Sequence, residues 1–178
     1  AGAFAEEGIE LRFDARATRV EGGGGRPFRL ELEGQDPVVA EKLLCATGRK
    51  PNVEGFGLER LGLTIEGRGI AVDEGLAAAA GVWAAGDVTG VMLFTHVGKY
   101  QARIAAANIA GRDVVADYRA IPAAVFTDPQ VACVGLTEAA ARAAGHEVRV
   151  STIGLDHVPR ALVARDTQHR LLQLFKRT

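Results

Sequence analysis

The chain of 178 residues carries only two cysteines, Cys45 and Cys133. They are far apart and form no Cys-x-x-Cys motif, so no disulfide framework is indicated. That fits a reducing, cytoplasmic setting. Each sits in an apolar run, Leu43-Leu44-Cys45-Ala46 and Val131-Ala132-Cys133-Val134, and is expected as a buried thiol in a strand. No apolar run approaches the ~20 residues that span a bilayer. The alanine run Ala77–Ala80 stops at Gly81 and is too short for a signal segment. No charge of one sign prevails: the net charge is −1, which gives no reason to expect nucleic acid or an anionic membrane as partner. There is no initiating methionine. Ala3 to Gly8 reads as the last turns of a helix with a glycine stop, and Leu171 to Lys176 as an apolar run without a partner segment. The chain is therefore expected to be a fragment. What is present, 48% hydrophobic and 24% charged residues, is a globular composition long enough for one domain or parts of two.

Gly86-Asp87 is the most informative pair. It follows the apolar run Val82-Trp83-Ala84-Ala85 and precedes a loop and a helical stretch. In open α/β sheets ligands sit beyond the carboxyl ends of strands. A glycine there lets a ligand approach the backbone, and an aspartate offers acceptors to sugar hydroxyls. The helix is expected from about His96 to Ala110, with Thr95 as N-cap and Gly111 as stop. Val97, Tyr100, Ile104 and Ala107 form its apolar face. Its N-terminus carries partial positive charge and free N–H groups close to Asp87 in sequence.

Upstream, Ile9 to Phe13 alternates as a half-buried strand does, and the extended style continues from Ala15 to Val20. The four glycines Gly22–Gly25 read as a hairpin loop. A phosphate-cradling loop would have to open a helix, whereas Phe28 to Leu32 is a strand pattern. Gly34 to Pro37 is another turn, and Lys42 to Ala46 a buried strand that closes an antiparallel meander. That strand exits through Thr47-Gly48-Arg49-Lys50-Pro51-Asn52. Leu58, Leu61 and Leu63 form a small apolar cluster in a helical or turn segment, and Gly67 to Val72 is a turn into a short strand. From Asp117 the texture changes. Strands at Ala123–Phe126 and Val131–Val134 flank a turn at Thr127–Gln130, Thr137 caps a helix that Gly145 ends, and strands follow at Val148–Val150 and Leu171–Phe175. This is an α+β pattern, with a boundary near residue 115.

Four segments taken together, Cys45 to Asn52, Val82 to Val88, Phe94 to Val97 with its helix, and Ile121 to Val134, resemble the flavin-dependent pyridine nucleotide–disulfide oxidoreductases. That family includes glutathione reductase, dihydrolipoamide dehydrogenase and mercuric reductase. Pro122 to Ala132 and Leu155 to Leu162 are most similar to the mercuric reductase branch, whereas Tyr100 to Arg103 looks more like glutathione-reductase-type members. The resemblance implies a mixed α/β and α+β chain, the C-terminal parts of Rossmann-like FAD- and NAD(P)-binding domains followed by the start of an α+β dimerisation domain. Residues 1–46 are expected as the end of the NAD(P)-binding domain, 47–115 as the returning part of the FAD-binding domain, and 116–178 as the opening of the dimerisation domain of a homodimer. The resemblance implies that Asp87 hydrogen-bonds the ribityl chain of FAD and that Gly86 permits the approach. It implies that Leu93 and Thr95 lie along the flavin ring, that Gly48 lies by the nicotinamide nucleotide, and that Arg49 supports that junction. The parent enzyme would pass a hydride from NAD(P)H to FAD and electrons on to a small-molecule disulfide or a metal ion held by thiolates.

The departures are as informative. The family's first glycine-rich FAD loop, its redox-active cysteine pair and its nicotinamide-nucleotide loop are expected before Ala1. The His-Pro acid/base segment and the C-terminal cysteine pair of mercuric reductases are expected after Thr178. Cys45 and Cys133 match no redox pair, and no residue of the chain is assigned a catalytic or metal-binding role. Asp166 to Leu171 departs from the family's Arg-Gly or Lys-Gly turn. The isolated chain is thus expected to be inactive and to bind FAD weakly or not at all. Two alternatives stay open: a non-catalytic folding or dimerisation module, and an NADH-oxidase-like flavoprotein without redox cysteines. His96 has no second metal ligand spaced with it and is expected in a structural role. His157 is expected in a surface turn, His146 and His169 in solvent, Asp128-Pro129 in a turn, and Glu6-Glu7 and Lys176-Arg177 as solvated ends.

Overall fold

The computed structural model describes residues 2–67, 69–127, 130–154, 157, 159, 163 and 170–176. The chain divides into two compact units, Ala1–Arg49 and Lys50–Thr178. The expected turn at Asp128-Pro129, the Leu155–Leu162 motif apart from His157 and Pro159, the Asp166–His169 departure and Arg177 lie outside the described residues.

In the first unit a short helix α1 (Gly2–Glu6) ends at Gly8 (φ +75°). Gly8 N–H donates to Ala5 O at 3.1 Å and Ile9 N–H to Phe4 O at 2.8 Å, the paired bonds of a glycine-terminated helix. The meander follows as β1 (Ala17–Gly23), β2 (Arg26–Leu32) and β3 (Gln35–Ala40) in the antiparallel order β1-β2-β3. Gly23 pairs with Arg26, leaving Gly24 and Gly25 as a two-residue turn at φ +62° and +87°. Two consecutive positive φ values are what a tight hairpin between right-twisted strands requires, and glycine adopts them without strain. The second turn is tighter than expected. Glu33-Gly34 forms it, so Pro37 falls inside the edge strand β3, where a missing N–H is tolerated.

Two expected strands do not form. Ile9–Phe13 and Lys42–Ala46 have no ladder partner among the described residues. A strand is defined by its neighbour, and alternation alone cannot supply one. Their apolar side chains are correspondingly exposed, Phe13 at 69% and Leu44 at 89%. The cysteines depart from expectation for the same reason. Cys45 on this unpaired segment and Cys133 in a two-stranded sheet are both exposed thiols.

The second unit is built round helix α2 (Thr95–Ile109). A single 3₁₀ turn spans Leu58–Leu61, with Leu58 and Leu63 half-buried and Leu61 exposed. The hairpins β4 (Ile65–Glu66)/β5 (Gly69–Ile70) and β6 (Ala77–Ala79)/β7 (Val82–Trp83) precede the helix. Leu76 is 1% exposed and packs with Ile104 and Ala105 of α2, flanked by Val72, Trp83 and Tyr100. Asp73 shapes this corner: its Oδ1 accepts from Gly75 N–H at 2.9 Å and Ala77 N–H at 2.8 Å. Asn108 fastens the far end of α2 by donating to Gly75 O and Val114 O, and by accepting from Val114 N–H, each at 2.8 Å. α2 ends as expected: Gly111 N–H donates to Asn108 O and Arg112 N–H to Ala107 O, both at 3.0 Å.

The remainder comprises β8 (Pro122–Val125) paired with β9 (Val131–Val134), helix α3 (Glu138–Ala143), and β10 (Val148–Gly154) paired with β11 (Arg170–Lys176). Thr137 caps α3 by accepting from Ala140 N–H at 3.2 Å. The terminal apolar run is not without a partner. All seven residues of β11 pair antiparallel with β10 in unbroken register, from Val148↔Lys176 to Gly154↔Arg170.

Candidate functional site

Val82-Trp83 leaves β7 into Ala84, which is buried, and the chain then turns at Gly86 (φ +85°, ψ −157°) into one 3₁₀ turn, Asp87–Thr89. Thr89 ties the turn: its N–H (3.0 Å) and its hydroxyl (2.9 Å) both donate to Gly86 O, and Gly90 N–H donates to Asp87 O at 3.1 Å. Asp87 is half-buried at the end of the β6/β7 hairpin.

The first turn of α2 packs directly on this loop. A Cβ on Gly98 would stand 3.3 Å from Gly86 Cα, so both positions work as contacts of bare backbone. A Cβ on Gly86 would meet nothing within 4 Å, which leaves its other side open. Helix α2 begins at Thr95, not after it. Phe94 is the N-cap, in extended conformation, and supplies no side-chain hydrogen bond. Thr95 therefore caps nothing; Val97 N–H (3.0 Å) and Gly98 N–H (3.1 Å) donate to Phe94 O, which leaves the N–H groups of Thr95 and His96 to face a ligand or water. Leu93 is half-buried and Thr95 exposed on this side. Gly86, Asp87, Leu93 and Thr95 thus come together around the uncapped end of α2. Gly48 and Arg49 belong to the first unit, where both are exposed and Gly48 has φ +132°.

Sequence reasoning missed Gln101. It is 0% exposed, and its Oε1 accepts from Gly86 N–H at 2.6 Å. The signal was its place: four residues after Val97 and three before Ile104, it occupies the buried stripe of α2 as a polar residue among apolar ones. His96 lies at the start of α2 and is exposed. Its ring stacks on Phe94 (centroids 5.3 Å apart), and Nε2 lies 2.8 Å from Pro122 O at the start of β8. His146 is half-buried instead of solvated, lining a cavity with Met92, Ile121 and Leu136, and His157 is exposed. Among the described residues no group of three His, Cys, Asp or Glu is placed to hold a metal, and no helix is long and apolar enough to cross a membrane.

The segment from α2 to β8 is pinned by Tyr100, whose hydroxyl accepts from Asp117 N–H at 2.7 Å. The side chain and N–H of Arg119 hold the Asp117 carboxyl down at a pKa of about 2. A depressed carboxylate pKa stabilises the fold fully above the unfolded value near 4, and that stabilisation is lost as pH falls through about 2. With Arg119 90% exposed, the pair is screened by salt. Asp117→Asn is accordingly expected to lower the melting temperature slightly at pH 5 in low salt. The gap should close at pH 2 or in 1 M salt, and a gap that persists at pH 2 would assign the effect to something other than the charge.

The sequence profile described as pyridine nucleotide-disulphide oxidoreductase matches residues 1–112, and that of the same family's dimerisation domain matches residues 121–177. The chain belongs to this family. It is 39% identical over 170 residues to a mercuric reductase of Bacillus cereus, an alignment covering 93% of this chain and 27% of that protein. It is 42% identical over 170 residues to the mercuric reductase of Streptomyces lividans, covering 93% of this chain and 36% of that one. The crystal structure of LpdA from Mycobacterium tuberculosis superposes with a TM-score of 0.88 at 30% identity, over 99% of this chain and 39% of that chain. The chain thus spans about a third of the length of the relatives it matches.

Proposed function

We propose that this chain forms part of an FAD-dependent NAD(P)H oxidoreductase, with residues 1–46 closing the nicotinamide-nucleotide domain, 47–115 returning to the flavin domain and 116–178 opening the dimerisation domain of a homodimer. The observation that carries the reading is the Gly86–Asp87 turn seated on the uncapped N-terminus of α2. A hydroxylated, anionic cofactor fits it. Asp87 offers carboxylate acceptors to ribityl hydroxyls, Gly86 keeps a side chain out of the way, and the backbone at Leu93 and Thr95 and the positive end of α2 serve the ring edge. FAD, when bound, supplies the hydride and electron chemistry. The chain's own residues orient the cofactor and stabilise negative charge on its ring. Gly48 and Arg49 are assigned to the nicotinamide-nucleotide side by their match to the family pattern. A small-molecule disulfide or a metal ion as electron acceptor, and a reducing cytoplasmic setting, complete the proposal. The names of the mercuric reductase relatives support the first, and two free thiols the second.

The exposed apolar faces of 9–13 and 42–46 support a longer parent, because sheet segments of this kind are stabilised by neighbours the described residues do not provide. Co-expression of residues 1–178 with the N-terminal remainder of the parent tests the reading. The pair is expected to co-purify yellow and to oxidise NAD(P)H, whereas residues 1–178 alone should emerge colourless from gel filtration. A co-purified pair without flavin would overturn the proposal.

A further inference from the structure

We propose that Gln101 is a positioning residue of the flavin site, which couples the Gly86–Asp87 turn to the segment that enters the dimerisation strands. The inference rests on the FAD reading above. Gln101 has no exposure, so each of its polar atoms needs a protein partner. Oε1 takes the Gly86 N–H at 2.6 Å. Nε2 donates to Thr89 Oγ1 at 3.2 Å and to Tyr118 OH at 2.9 Å. The amide orientation is chemically determined: the Gly86 N–H can only donate, and the Thr89 hydroxyl already spends its proton on Gly86 O. One side chain thereby grips both ends of the turn that presents Asp87. Its third partner, Tyr118, stands four residues before β8 and packs edge-on against Tyr100 of α2. A shift at residue 118 is thus transmitted to the turn through one carboxamide whose two N–H donors are both engaged. Two consequences follow. Removing Gln101 takes the acceptor from the half-buried Gly86 N–H, and removing only the Tyr118 hydroxyl deprives the same carboxamide of an acceptor.

The test uses the full-length holoenzyme, stripped of flavin and titrated with FAD by fluorescence. Gln101→Met is expected to weaken FAD binding about tenfold, and Tyr118→Phe about threefold, in line with one half-buried donor left unpaired and one lost hydrogen bond. The double variant should bind no worse than Gln101→Met, because both changes break one network. In excess FAD, the KM for NAD(P)H should stay unchanged, which a general loss of folding would not allow. Unchanged FAD affinity in Gln101→Met, or strictly additive effects, overturns the proposal. If Gln101→Met fails to fold, Tyr118→Phe decides: unchanged affinity there overturns it. Asp87→Ala run alongside separates the two levels. If it weakens FAD while Gln101→Met does not, the positioning role alone falls. If Asp87→Ala itself has no effect, the FAD reading falls and takes this inference with it.

Discussion

Asp87→Ala in the full-length enzyme is expected to raise the dissociation constant for FAD by about 10- to 100-fold, the range that a lost hydrogen bond to a charged acceptor implies. The expectation follows from where the carboxylate stands. It is half-buried at the mouth of the β6/β7 hairpin, on a turn whose backbone is fixed by Thr89 and Gly90. A carboxylate held on a fixed turn loses little freedom when it accepts a hydroxyl, so most of the bond strength appears as affinity. The Gly86, Thr89 and Gly90 bonds of the turn use backbone atoms and the Thr89 hydroxyl. Asp87→Asn keeps an oxygen acceptor and loses the charge, so it should fall between wild type and Asp87→Ala. Titration of the apoenzyme with FAD measures all three. Equal affinities across the series would remove Asp87 from the cofactor site.

How far the sequence discloses this architecture depends on the range of the interaction. Local chemistry was readable. The glycine-terminated helices at Gly8, Gly111 and Gly145, the Gly24-Gly25 hairpin and the Thr137 cap are each decided by residues within one turn of chain. Lateral pairing was not. Alternation at 9–13 and an apolar run at 42–46 state which face wants burial, yet neither names the neighbour that would bury it. The same blindness worked in the opposite direction at Leu171–Phe175, which looked unpartnered and pairs fully with β10 across a separation that local patterning cannot see.

The candidate site divides in the same way. Gly86-Asp87 was visible because an apolar run ending in Gly-Asp before a helix is a compact pattern. Gln101 and Asn108 were not, because a polar residue on a helix stripe takes its meaning from what it faces across the fold. Thr95 shows the limit of cap rules. Threonine is a good N-cap, but the extended Phe94 before it takes that place and supplies no side-chain hydrogen bond.

Gly69→Ala should be the most damaging single-methyl change in the second unit. Gly69 opens β5 at φ +145°, a backbone conformation that a side chain rarely adopts. A Cβ there would stand 2.1 Å from Val88 O, 2.9 Å from Val88 C and 3.1 Å from Gly90 N. All three are backbone atoms of the loop that carries Asp87, and none can rotate away as a side-chain end would. Either β5 or the loop must move, and Gly69 is itself buried against it. Conformational strain of about 1–3 kcal/mol adds to an overpacking cost of about 1–3 kcal/mol, together roughly 2–6 kcal/mol. At 2–4 °C per kcal/mol for a unit of this size, the melting temperature should fall by about 10 °C. Gly111→Ala provides the contrast. It too sits at positive φ (+79°), but nothing lies within 4 Å of the added carbon, so only the left-handed strain of about 1–2 kcal/mol remains. Thermal unfolding of the full-length protein compares the two. Because the atoms struck by the Gly69 methyl belong to the Asp87 turn, the surviving Gly69→Ala protein should also bind FAD more weakly, whereas Gly111→Ala should bind it normally. Equal losses of stability in the two variants would mean that the loop yields to β5 at no cost, and that the close fit at Val88 does not hold the turn in place.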